Sequence, residues 1–409
     1  MKALRLLTLC AALGASIQFS IAQDSRPHLT TIYNNGSFGS LVFGDNGALY
    51  GFAGGELIEL TPPASPGGAW TATTLYNPVS FVPTAGPVSG KNGTLYGTLL
   101  QGGSLLYGTV YDMVPPASPG GAWTENTLYT MTGGVDGMNP AAGVVRGEDG
   151  VLYGALIWGG GYPAGCPGSP GCGTVFELAP PASQGGAWTF TVLHDFTGGS
   201  DGGNPGASLV IGAKGDLYGT TTAGGISGLG TVFKLTPPAS PGGAWTETVL
   251  HAFTGGNDGA YPTASLVIGK NGELYSTTES GGSSGYGTVF ELTPPASPGA
   301  TWTETVLYSF GGGSDGADPA GGVVIGKDGV LYGTTGGGGT SSFGTVFALK
   351  PPASPGGAWT ESVLYSFTGG SDGGFPSASV AIGKNGALYG TTSWGGAPSN
   401  TGTWFELNP

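Results

Sequence analysis

Five aspartates, each followed directly by glycine, are the most regular polar residues in this 409-residue chain: Asp136, Asp201, Asp258, Asp315 and Asp372. A ring of carboxylates would suit Ca²⁺, which takes several oxygen ligands. An Asp-Gly pair also makes a turn, with the aspartate bonding its own backbone and the glycine supplying a positive φ. Each aspartate falls in a separate copy of one repeat, which favours the turn over convergence on a single ion. Lys91, Lys214, Lys270, Lys327 and Lys384 recur in the same manner, at or beside tight turns. Lysines so placed solubilise a molecule and block edge pairing; as a ring they would steer an acidic partner.

Trp158 and Trp394 break the pattern. Both stand five residues after a repeated tyrosine, where other copies have Gly55, Gln101, Ala223, Ser280 and Gly337. Exposed aromatics near a carboxylate such as Glu279 are suited to stacking on a sugar or gripping a peptide. Alternatively each covers a glycine-rich loop.

Nucleophilic catalysis has little to build on. Of the three histidines, His194 and His251 replace a repeat tyrosine and read as structural, and His28 lies near the start of the predicted mature chain. None accompanies Ser or Cys in a suggestive arrangement. Glycine runs such as Gly336–Gly339 lack the Lys-Ser/Thr and the helix of a phosphate loop. A carboxylate pair for glycoside cleavage stays open, because spacing between copies is not written in the sequence. Cys166 and Cys172, in GCPGSPGCG, are expected to form a disulfide in an oxidising compartment. Zinc would need about four ligands, and no histidine lies near.

The elements that must position these residues come from a tandem repeat. Its tyrosine recurs at Tyr50, Tyr96, Tyr153, Tyr218, Tyr275, Tyr332 and Tyr389, in steps of 46, 57, 65, 57, 57 and 57. The insertion Gly161–Gly171 accounts for the long step. The short one reflects a missing glycine-rich turn after Gly55 and a degenerate stretch around Asn77–Gly90. One copy, Ser265–Phe310, divides into four runs rich in β-branched and aromatic residues: Ser265–Ile268, Glu273–Thr278, Thr288–Leu292 and Trp302–Phe310. Asn-Gly between the first two is a hairpin signal. Four antiparallel strands with both faces covered by like units describe a β-propeller blade, and seven copies predict seven blades.

The fourth run has only six copies of its tryptophan form, at Trp70, Trp123, Trp188, Trp245, Trp302 and Trp359. The seventh is displaced to the other end of the chain, where Leu29–Tyr33 resembles TVLYSF. The spacing therefore predicts that Leu29–Tyr33 pairs beside Thr403–Leu407 and closes the ring. Strand order then puts the Lys-Asn-Gly turns and PPASPGGA loops on one face, and the Asp-Gly and glycine-rich loops on the other.

At the N-terminus, Met1-Lys2-Ala3-Leu4-Arg5 precedes an apolar run, and Ser20-Ile21-Ala22 reads as a cleavage site, so residues 1–22 are expected to be a signal peptide. No later segment approaches the roughly 20 apolar residues of a membrane helix. Of 11 basic residues nine remain without Lys2 and Arg5; against 25 acidic ones the charge is −16, which argues against a nucleic-acid partner.

The combination GxLYGTT, GG, GTVFEL, WTETVLYSF and DGxxP resembles the bacterial GloVer-type tandem repeat, found in exported proteins, over nearly all of residues 23–409. Its strand order is similar to that of NHL-type propellers. The resemblance implies an exported repeat protein and carries over no catalytic residues; the sequence ends at Asn408-Pro409 without the anchor of other members. The expectation is an all-β, single-domain, seven-bladed propeller over residues 23–409. It would be an exported, monomeric binding module without covalent chemistry, cofactor or membrane span. Its carbohydrate or protein/peptide ligand would sit on the face carrying the aspartates and Trp158/Trp394. The competing readings are a polysaccharide hydrolase or lyase and a structural cell-envelope protein.

Overall fold

The computed structural model describes residues 27–36, 39–65, 67–77, 85–118, 120–161, 166, 170–183, 185–240, 242–297, 300–354, 356–398 and 400–409. The expected signal peptide lies outside them, as does part of the insertion. The described residues form seven four-stranded antiparallel sheets. Blade five is representative, with strands Val267–Ile268, Leu274–Thr278, Thr288–Thr293 and Thr303–Ser309 in that spatial order. The protein is a seven-bladed β-propeller.

The innermost strand is shorter than the four residues expected at Ser265–Ile268. Backbone groups ahead of Val267 are bonded by side chains instead of a ladder. The Ala264 carbonyl accepts from Thr220 Oγ1 of the preceding blade at 3.2 Å, and the Ser265 carbonyl accepts from Ser276 Oγ at 3.0 Å. The bond from Thr220 recurs across other seams: Thr98 to Ala142, Thr277 to Gly321, Thr334 to Ala378 and Thr391 to Gly39, at 2.9–3.2 Å. The last joins blade seven to blade one.

Alternation along the third strand sends its phenylalanine into the seam with the preceding blade. Phe233 meets Phe196 edge to face at 5.1 Å, Phe290 meets Phe253 at 5.3 Å, Phe347 meets Phe310 at 5.2 Å and Phe405 meets Phe367 at 5.3 Å. All eight rings are fully buried. Such pairs add about 0.5–1.5 kcal/mol beyond the area they bury. The glycine of the LYG motif makes room for the ring. A Cβ at Gly154, Gly219, Gly333 or Gly390 would lie 2.5 Å from Cζ of the facing phenylalanine. A second aromatic contact crosses the seam nearer the lysine face, where Trp302 packs edge-on against Tyr218 at 6.2 Å and five other seams repeat the pair at 5.9–6.4 Å.

The displaced strand closes the ring as the repeat predicts. His28–Tyr33 pairs antiparallel with Trp404–Asn408, Leu29 opposite Leu407 and Thr31 opposite Phe405, with a register shift between Thr31 and Tyr33. Outer strands of other blades carry the same irregularity, for example at Val289/Phe290, so the N-terminal strand reproduces even the local bulge. Tyr33 packs edge-on against Trp404 at 5.7 Å, and Leu29 joins the core between blades six and seven. Deleting residues 28–33 is expected to lower the midpoint of thermal unfolding by several degrees or more; an unchanged midpoint by calorimetry would refute the closure.

Candidate functional site

The repeated aspartates staple their own turns. Asp258 accepts from the Thr254 N–H at 2.8 Å and Thr254 Oγ1 at 2.7 Å, and Asp372 is held in the same way by Thr368. Asp315, where glycine replaces the threonine, accepts from the N–H groups of Gly311 and Gly313. The outer strand adds one more partner: Tyr129, Tyr308 and Tyr365 each donate a hydroxyl to Asp136, Asp315 and Asp372 at 3.1 Å. In blades three and four histidine takes that place, with His194 Nε2 at 3.5 Å from Asp201 and His251 Nε2 at 3.4 Å from Asp258. Burial works against ionisation of Asp201, but the bonds from His194 and Thr197 outweigh it and hold its carboxyl below the usual range. The following glycines, Gly137, Gly202, Gly259, Gly316 and Gly373, have φ between 88° and 113°, as the turn reading requires. Asp136 is 93% buried by its 7% exposure. Among the described residues no three His, Cys, Asp or Glu side chains gather as they would around a metal.

The two exceptional tryptophans differ. Both pair their backbones with the turn loop entering their own blade, Trp158 with Met138 and Trp394 with Gly374. Trp394 is 49% exposed, whereas Trp158 is half-buried. Close by lie residues that the sequence reading passed over. Asn139, Asn204, Tyr261, Asp318 and Phe375 each precede a proline, yet all have φ between 53° and 58°. A residue before proline favours extended backbone, and an ordinary side chain at positive φ is uncommon. Two backbone bonds enforce it: the Tyr261 N–H donates across the seam to Leu229 O at 3.0 Å, and the Tyr261 carbonyl accepts from the Glu279 N–H of its own blade at 3.1 Å. The other four positions repeat both bonds. Tyr261 and Phe375 are exposed, as are Glu279 and Asp318. The identity of this residue changes from blade to blade while its backbone does not. That contrast was readable by aligning DGxxP copies; the strain was not.

The central channel is a cavity of about 180 Å³ whose lining consists entirely of Gly, Ala, Ser and Thr, among them Ser40, Ser208, Thr263, Ser265, Ser377 and Ser379. Among the described residues lining it there is no carboxylate. Carboxyls with strongly raised pKa lie elsewhere, on outer strands at the seams. Glu247, Glu304 and Glu361 each keep one buried oxygen without a hydrogen-bond partner, and burial pushes each up to about 7. At the rim, partial burial raises Asp318 above the ordinary carboxylate value. Cys166 and Cys172 form a disulfide, with Cα atoms 5.2 Å apart, and both are buried between blades three and four.

The fold and the repeat define the class as a propeller of glycine-rich tandem blades. The Gloeobacter/Verrucomicrobia repeat matches residues 82–312 and 297–409, and the chain belongs to that family. No curated protein matches it in sequence. Among solved structures it is similar to virginiamycin B lyase from Staphylococcus aureus, at 11% identity and a TM-score of 0.55, covering 94% of this chain and 100% of that one. It is also similar to the extracellular domain of a hybrid two-component system from B. thetaiotaomicron, at 12% identity and a TM-score of 0.52, covering 94% of this chain and 41% of that one. The soluble aldose sugar dehydrogenase of Escherichia coli gives a TM-score of 0.43 at 13% identity, with 94% and 99% covered. Identities this low show a shared fold alone.

Three outcomes follow from the electrostatics of the aspartates and the seam glutamates. Asp372→Ala leaves the Thr368 N–H unpaired and is expected to cost about 1–3 kcal/mol, while EDTA followed by Ca²⁺ should leave the melting temperature unchanged; a shift of several degrees would show that the aspartates hold an ion. The three seam glutamates, raised from 4.5 to about 7, favour the fold when protonated. Their contribution is full below about pH 4.5 and is lost as pH rises through 7. Changing Glu247, Glu304 and Glu361 together to Gln should therefore flatten the fall in melting temperature between pH 5 and 8, which differential scanning calorimetry would register.

Proposed function

We propose that the protein is an exported binding module whose loop face, carrying the Asp-Gly turns and glycine-rich loops, docks a protein or peptide partner. One observation carries this reading. Of the ten exposed large hydrophobic side chains among the described residues, eight belong to loops of that face: Leu105, Leu106, Val135, Ile226, Tyr261, Tyr286, Phe375 and Trp394. Concentrated apolar exposure on one face marks interaction surfaces in folded proteins. Four of the eight are aliphatic, a kind of side chain that sugar stacking does not use, which favours polypeptide over carbohydrate. The strained pre-proline backbone fixes the direction in which Tyr261 and Phe375 leave the surface, and rigid anchors reduce the ordering cost of binding. Export accords with the disulfide.

The enzyme reading would place a polysaccharide hydrolase or lyase site at the rim, with Asp318 and Glu279 as its carboxylates. A channel with no acidic side chain among its described lining residues gives it less support than the apolar face gives to binding. Trp394→Ala and Phe375→Ala are expected to change the melting temperature by less than about 2 °C, as surface substitutions do, and to lower retention on a peptide array at least fivefold. Blank peptide and glycan arrays would favour a structural envelope role. Reducing sugar released from polysaccharide, and lost in Asp318→Asn, would favour the enzyme.

A further inference from the structure

The lysine face holds clefts between blades, each walled by the tryptophan of one blade and the tyrosine of its neighbour. Two of them are large enough for a small ligand. The cleft between blades seven and one has a volume of about 700 Å³, and the cleft between blades four and five about 720 Å³; both fall within the range of small-ligand sites. Their apolar walls are equivalent: Trp70 with Pro62 and Pro63 in one, Trp302 with Pro294 and Pro295 in the other.

Their charges differ. On the second strand of most blades the repeat tyrosine faces a carboxylate across the ladder, as Tyr50 faces Glu59 and Tyr389 faces Glu406. In blade four Tyr218 faces Lys234. Lys234 lies 2.9 Å from Asp216 and 5.8 Å from the centre of the Tyr218 ring. Lys214 and Lys270, both exposed, are the other charged residues of the described lining and have no ion pair among the described residues. Three lysines against one aspartate thus converge on one cleft of a chain whose net charge is −14. The blade seven–one cleft has Lys384 against Glu406.

We propose that the cleft between blades four and five binds an acidic saccharide. Its ring would lie against Trp302 and the proline pair, and its carboxylate would be held by Lys214 and Lys270. The flat apolar wall suits the C–H face of a sugar. Ammonium groups on separate turns suit carboxylates spaced along a chain, and no arginine, the bidentate partner of phosphate, is among the described residues lining the cleft. This site is independent of the partner proposed for the opposite face.

The test is titration of the full chain with hexagalacturonate, followed by calorimetry and tryptophan fluorescence. Cellohexaose and a glutamate hexapeptide serve as the neutral and the non-sugar probes. Hexagalacturonate is expected to bind, more weakly as salt rises, and Lys214→Gln with Lys270→Gln should together weaken it about tenfold, as loss of charge-assisted bonds does. Both lysines are exposed, so that variant should keep the parent melting temperature. Lys384→Gln and Trp394→Ala should bind as the parent does. The proposal is overturned by any of four results: no binding of hexagalacturonate, equal binding of cellohexaose, tighter binding of the hexapeptide, or affinity indifferent to the two lysines.

Discussion

No blade of this protein can bury its own faces. Each sheet is apolar on both sides, and in blades four to seven the phenylalanine of the third strand meets a ring carried by the preceding blade. Stability therefore lies in the seams, and seams are all satisfied only when the last blade meets the first. Threonine bonds to the next blade's inner backbone, tryptophan on tyrosine, and phenylalanine pairs repeat around the ring at different radii. Where a seam lacks one of them, others remain. The ring tolerates Phe52 and Ala155 in place of the bonding threonine because neither aromatic contact depends on it.

This division of labour separates structure from recognition. Inner strands converge on the axis and leave space only for Gly, Ala, Ser and Thr, so the channel is chemically bland as a result of packing. Asp-Gly turns spend their carboxylates on backbone N–H groups and outer-strand hydroxyls. What stays free to vary is the residue before each proline, the tip of each glycine-rich loop and the residue facing the repeat tyrosine. Differences between blades gather there.

Much of the fold was legible in the sequence because a repeat displays the same physics several times. The period gave seven blades, and the missing seventh TVLYSF pointed to Leu29–Tyr33 as the closing strand. Turn order assigned the two faces. The inner strand was read too long because nothing local signals that the Ala264 carbonyl is taken by Thr220, 44 residues earlier. Trp158 and Trp394 looked alike, yet differ in exposure, since burial of a loop side chain depends on neighbours from other loops. Lys234 was visible as FKL among FEL copies, but the meaning of the reversal required the ladder that sets it against Tyr218 and the seam that brings Trp302 over it. Neither partner is near in sequence.

Pairing His28–Tyr33 with Trp404–Asn408 also imposes an order of events during synthesis. The strand that finishes the propeller is among the first parts of it to be made, and its partner is among the last. Until then the strand has no ladder to join, and the blades already made form an arc with a bare sheet face at each end. Local hairpins can form as they are completed, but the one contact of greatest sequence separation comes at the end, where the entropic cost of closing the loop is largest. A chain halted early would keep those two apolar faces in solvent, so prematurely ended products are marked for aggregation or removal by the same closure that protects the finished ring.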